Sequence, residues 1–192
     1  MNIFVIYPLM TAVFAAIHIA SCREARTAEG ASRAVLTWAV FFNVGAAGLV
    51  AFYAHAFRPE ATAAYIGWAP GGPFQYEVAC ANLAFGVMGV LCLFFSSMFR
   101  LSTIVGQGVF MLGAAYGHLQ QMQTAQNMAP GNSGPVLYFD VAVPPILLMI
   151  WILHRVMRDR ARRAAEAANK AIDPPALRQP HTNREGHAHP TE

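Results

Sequence analysis

Two carboxylates and two histidines interrupt otherwise apolar stretches of this chain: Glu77, Asp140, His55 and His118. Carboxylate oxygens and imidazole nitrogens together can ligate a metal, relay a proton or hold a polar ligand. Amide side chains accompany them, with Gln75 and Asn82 near Glu77 and Gln121 one helical turn beyond His118. The spacing within each stretch sets which groups act together. His118 and Gln121 are three apart and share a helical face. Glu77 lies about 140° from Asn82 at about 100° per residue, so those two address different neighbours. No pair has the spacing of a His-Glu-x-x-His metal motif. The set expected to bind a ligand is Glu77, Asn82, His118, Gln121 and Asp140, with Glu77, His118 and Asp140 as metal ligands if a metal is held. Each also has a plainer role. Glu77 and Asp140 sit in the first turns of their helices, where a carboxylate complements the helix dipole, and Asn82 can bond a neighbouring helix.

The elements that must position these groups are membrane helices. Five apolar stretches divide the 192 residues, at roughly 3–21, 34–57, 75–99, 101–121 and 137–154, each long enough to cross about 30 Å of hydrocarbon. Hydrophobic residues make up 56% of the chain and charged residues only 12%, about half the charged share of a soluble domain. Mean hydropathy is +0.38. The expected fold is all-α, an integral membrane bundle of five helices over residues 1–154. A basic cytoplasmic helical extension follows at 155–172, and a disordered tail at 173–192. Numerous glycines fall within the spans. Gly113-x-x-x-Gly117 is a small-residue spacing that suits close helix packing, within the chain or in a homo-oligomer.

Charge orients the bundle. Of thirteen Lys and Arg residues, only Arg58 falls on one side when the spans alternate. Arg23, Arg26, Arg33, Arg100 and every basic residue from Arg155 onward share the other side. Basic residues are retained in the cytoplasm during insertion, so the expected topology is N-terminus out and C-terminus in, in a bacterial inner membrane. Glu77, His118 and Asp140 then share the outer layer, and Arg100 occupies a tight inner turn. The net charge of +3 is juxtamembrane or dispersed. It suits anionic lipid around the C-terminal extension better than nucleic acid. Pro144-Pro145 interrupts the fifth stretch and removes donors that would otherwise bond the carbonyls of Asp140 and Val141.

The run Gly72-Pro73-Phe74-Gln75-Tyr76-Glu77-Val78-Ala79-Cys80-Ala81-Asn82-Leu83-Ala84-Phe85-Gly86 resembles a small bacterial multi-pass membrane family of unknown function. So do Gly117-His118-Leu119-Gln120-Gln121 and the segment 132–140. The resemblance spans roughly 70–145 and leaves out the first two spans and the tail. It implies a helical membrane protein and brings no activity, substrate or cofactor. Three functional classes therefore stand: a binder of a small ligand or metal near the outer face, a transporter or channel component, and an accessory subunit of a membrane complex.

Overall fold

The computed structural model describes residues 3–70 and 72–172. Its helices are α1 (Ile3–Ser21), α2 (Ala28–Val40), a π-helical stretch Phe41–Ala46, α3 (Ala47–Phe57), α4 (Pro59–Ile66), α5 (Pro73–Leu91), α6 (Ser97–Thr124), α7 (Pro130–Ser133) and α8 (Pro135–Ile172). Among the described residues there is no strand, and five segments are long and apolar enough to span a membrane: Phe4–Ser21, Ala28–Phe57, Pro73–Leu91, Ser97–Thr124 and Pro130–Ile172. The all-α, five-span reading is borne out. The expected disordered tail at 173–192 lies outside the described residues. The chain divides into two units, Met1–Met157 and Arg158–Glu192. In the second, residues 158–172 are helical, with an exposed Arg162–Glu166 ion pair at 2.8 Å.

Burial in the first unit runs opposite to that of a soluble bundle. The outward faces are apolar: Val5, Leu9, Val13 and Ile17 on α1, and Val105, Val109 and Leu112 on α6, are all exposed. The inward faces carry Asn43, Gln75, Asn82, Thr103, Gln107 and His118, all buried. This is the arrangement that suits hydrocarbon, where polar groups avoid lipid and find partners inside. The apolar core forms around Leu36, Val40, Val44, Ile104, Met111 and Leu147.

Glycine sets the closest helix contact. Gly45 and Gly48 face Gly86 and Gly89 of α5. A β-carbon on Gly48 would stand 2.8 Å from the Asn82 carbonyl oxygen and the Gly86 nitrogen. The π-helical stretch lies beside this contact and carries Asn43. The Asn43 amide donates to Thr11 Oγ1 of α1 (3.1 Å) and to the Ala39 carbonyl (2.9 Å), joining the first two spans. Gly113 and Gly117 are different: a β-carbon at either would meet nothing within 4 Å. Their spacing is not used for packing within the described chain.

Several boundaries differ from the expected ones. α5 ends at Leu91 rather than near residue 99. Arg100 is not in the inner turn but inside the first turn of α6, where it is buried and its Nε donates to the Cys92 carbonyl (3.0 Å). Ser96, with extended backbone, starts α6 before Arg100 is reached. The segment 58–74 contains α4, begun by Pro59 at a position where no backbone donor is needed and ended by Gly67 at φ 80°. Pro144 and Pro145 lie within α8 rather than breaking it, and Pro144 is buried against Gly108.

The two ends of α6 mark the two ends of the bundle. At its start lie Arg100, the Trp151–Ser97 hydrogen bond (3.1 Å) and, on neighbouring helices, the Ser32–His154 contact (3.1 Å). At its finish lies the polar layer described next.

Candidate functional site

The last turns of α6 bring His118 and Gln121 to one face. α7 is a single turn opened by Pro130, and it passes so close to α4 that a β-carbon on Gly131 would collide with the Tyr65 ring. This packing buries Asn132 completely. α8 then begins at Pro135 and delivers Asp140.

The three side chains meet. Asn132 Nδ2 donates to the carbonyls of His118 (3.2 Å) and Asn127 (2.8 Å). Both partners can only accept, so the orientation of the Asn132 amide is settled by chemistry: its oxygen is the atom 2.7 Å from His118 Nδ1. That oxygen can only accept, so Nδ1 carries a proton. The other ring nitrogen, Nε2, faces Asp140 Oδ2 at 3.8 Å, with the two side chains only 8% and 13% exposed. In the neutral ring, Nε2 is then an acceptor facing a second acceptor. The contact is favourable only with a proton on one of the two groups or with a donor seated between them.

Hydrogen bonds carry the network outward. Asn127 Nδ2 donates to Gln121 Oε1 (2.9 Å) and to the Ile66 carbonyl (3.0 Å) at the end of α4. Trp68 Nε1 donates to the same Gln121 oxygen (3.1 Å). Trp68, Phe74, Gln75, Gln121 and Asn127 then line an open cleft of about 730 Å³. His55 packs against Trp68, with ring centroids 6.3 Å apart, and its Nδ1 is buried without a partner.

The expected residues separate accordingly. His118, Gln121 and Asp140 belong to this network. Glu77 does not: it is exposed, on the face of α5 turned away from buried Gln75, Ala79 and Asn82. Asn82 is buried but donates to Val78 of its own helix (2.9 Å), at the glycine contact with α3. The Glu77–His118–Asp140 metal set therefore does not assemble. Among the described residues no group of three His, Cys, Asp or Glu side chains is placed to hold a metal. Sequence reasoning passed over Asn132, Asn127 and Trp68 as site residues. The available signal was an uncharged Asn- and Gln-containing segment joining two helices with polar ends.

The chain belongs to a family of unknown function, DUF6790, which matches residues 1–161. The match begins earlier than the resemblance read from the sequence, takes in the first two spans and contains every member of the network. No curated protein and no solved structure matches the chain.

Proposed function

We propose that this member of DUF6790 is an integral membrane protein that binds a small polar ligand at the outer ends of its helices. His118 Nε2 and Asp140 Oδ2 would together receive a hydrogen-bond donor on that ligand. The carrying observation is the fixed imidazole. Asn132 commits Nδ1 to donation, which leaves Nε2 and the carboxylate as paired acceptors in a nearly dry setting. Such a pair suits an amine, hydroxyl or amide donor, or a proton in transit. Two protein groups fall short of the three or four that a resident zinc requires. The cleft supports the same reading, because Gln121 and Asn127 on its wall connect by hydrogen bonds through buried Asn132 to His118.

The test uses the full chain in detergent, with ethanolamine, glycerol and acetamide as probes and thermal unfolding as the readout. A ligand at a hundred times its Kd stabilises by about 2.7 kcal/mol. At least one probe should raise the wild-type midpoint, and the increase should disappear in His118→Gln and Asp140→Asn. Increases that persist in both variants would sink the proposal.

A second reading has its own support. Asn132 and Asn127 hydrogen-bond to α6 and to the end of α4, as a structural latch between α4, α6 and α7 would require. A latch predicts lower midpoints for both variants with no response to any probe. Transport draws less support. Deeper polar groups are tied locally, Asn43 to Thr11 and Thr103 to Cys92 (3.6 Å), rather than forming a file across the bundle.

The orientation and localisation are part of the proposal. The basic residues place the C-terminus inside, in a cell membrane, with residues 155–172 against anionic lipid. A periplasm-dependent reporter fused after Glu192 should be silent, and the same reporter within residues 122–135 should be active. The reverse pattern would refute this topology.

A further inference from the structure

At the opposite end of α6, Arg100 is an arginine at membrane-span depth with no acid beside it. It is only 8% exposed. Its Nε satisfies the Cys92 carbonyl at the end of α5. Among the described residues, nothing accepts a hydrogen bond from its two terminal nitrogens and no carboxylate pairs with it. An intramembrane charge is costly and is normally compensated.

A second orphan lies one turn away. Ser97 Oγ is buried without a hydrogen-bond partner. Ser97 and Arg100 are three apart and share a face of the first turn of α6. That turn holds no acid, and its N-cap Ser96 makes no side-chain cap, so its backbone N–H groups remain available to an anion. Around the same turn Phe94, Phe95 and Met98 are 77%, 52% and 56% exposed, an apolar rim beside a cationic recess.

We propose that Arg100, Ser97 and the first turn of α6 form a binding site for a phosphate group, supplied by the headgroup of an anionic phospholipid. A guanidinium with two free terminal nitrogens matches phosphate oxygens in a fork geometry. The Ser97 hydroxyl donates to a further oxygen. The helix dipole favours the negative charge, and the exposed aromatic and methionine side chains lie along the acyl chains. Arg100 explains its own burial in this way: the compensating charge comes from the lipid. This inference is independent of the ligand proposed for the other end of the bundle.

The experiment uses the delipidated full chain in detergent at about 0.5 M salt, where attraction to exposed arginines such as Arg160 and Arg162 is largely screened. Phosphatidylglycerol, diacylglycerol and inorganic phosphate are offered separately, and bound molecules are counted by native mass spectrometry. Wild type should retain phosphatidylglycerol and not diacylglycerol. Arg100→Gln should weaken retention at least about tenfold, as loss of charge-assisted bonds implies, with Arg100→Lys intermediate. Ser97→Ala removes a hydroxyl that bonds nothing in the chain, so it should fold normally and weaken retention a few-fold. Displacement of the lipid by millimolar inorganic phosphate would keep the phosphate site and assign it to the free ion. Equal retention of phosphatidylglycerol by wild type, Arg100→Gln and Ser97→Ala would overturn the proposal, as would equal retention of diacylglycerol. If Arg100→Gln does not fold, Ser97→Ala decides the matter by the same counts.

Discussion

Replacing Asn132 with leucine should destabilise the protein by about 3 kcal/mol or more and release the His118 imidazole from its fixed tautomer. Asn132 is completely buried and joins three groups: His118 Nδ1, the His118 carbonyl and the Asn127 carbonyl. Leucine fills a similar volume but leaves all three without a partner. Each orphaned buried group costs about 1–3 kcal/mol, and the three are coupled, so the sum is not simply additive. Asn132→Asp is the informative companion. It keeps an acceptor for Nδ1 but loses both donated bonds, and it places a second carboxylate beside the imidazole. Thermal unfolding measures the first effect, and nitrogen NMR of labelled histidine reads the protonation of each ring nitrogen. A leucine variant that unfolds within 1 kcal/mol of wild type with unchanged histidine signals would rule out this account.

The second large effect is at Gly89, where leucine should abolish the folded bundle. A β-carbon there would overlap the backbone nitrogen and α-carbon of Gly45. Backbone atoms in a helix cannot swing aside as a side-chain tip can, so the π-helical stretch and α5 must separate. Loss of about 3 kcal/mol or more follows from overpacking on this scale. In membranes such glycine contacts carry much of the association, because lipid supplies no hydrophobic drive between helices. Gly113→Ala is the control. With nothing within 4 Å of its added methyl group, it should leave the size-exclusion profile of the detergent-solubilised protein unchanged, whereas Gly89→Leu should give aggregate or no protein. A monodisperse Gly89→Leu peak matching wild type would refute the contact between α5 and the π-helical stretch.

Why some of this was legible before the coordinates, and some was not, is a matter of which physical constraint acts locally. The five spans follow from composition alone, because hydrocarbon thickness dictates the length and apolarity of any segment that crosses it. The same rule makes His118, Gln121 and Asp140 conspicuous, as polar groups that apolar runs do not otherwise tolerate. Glu77 carries an identical signal yet faces outward. Sequence spacing separates it from Asn82 around α5, but only the packing of Gly86 and Gly89 against Gly45 and Gly48 decides which of those faces turns inward. Arg100 reads as a turn residue because it stands between two apolar runs, and the extended backbone at Ser96 moves the helix start and buries it. Asn132 and Trp68 sit in segments that look like ordinary outer loops, since nothing local reveals that α4 and α7 will fold over the end of α6. The sequence by itself determined the helical class, the number of apolar spans and which polar groups interrupt them. Tertiary structure alone decided which of those groups meet, because convergence at one depth depends on the rotation of each helix, and that rotation is set by the neighbours it packs against.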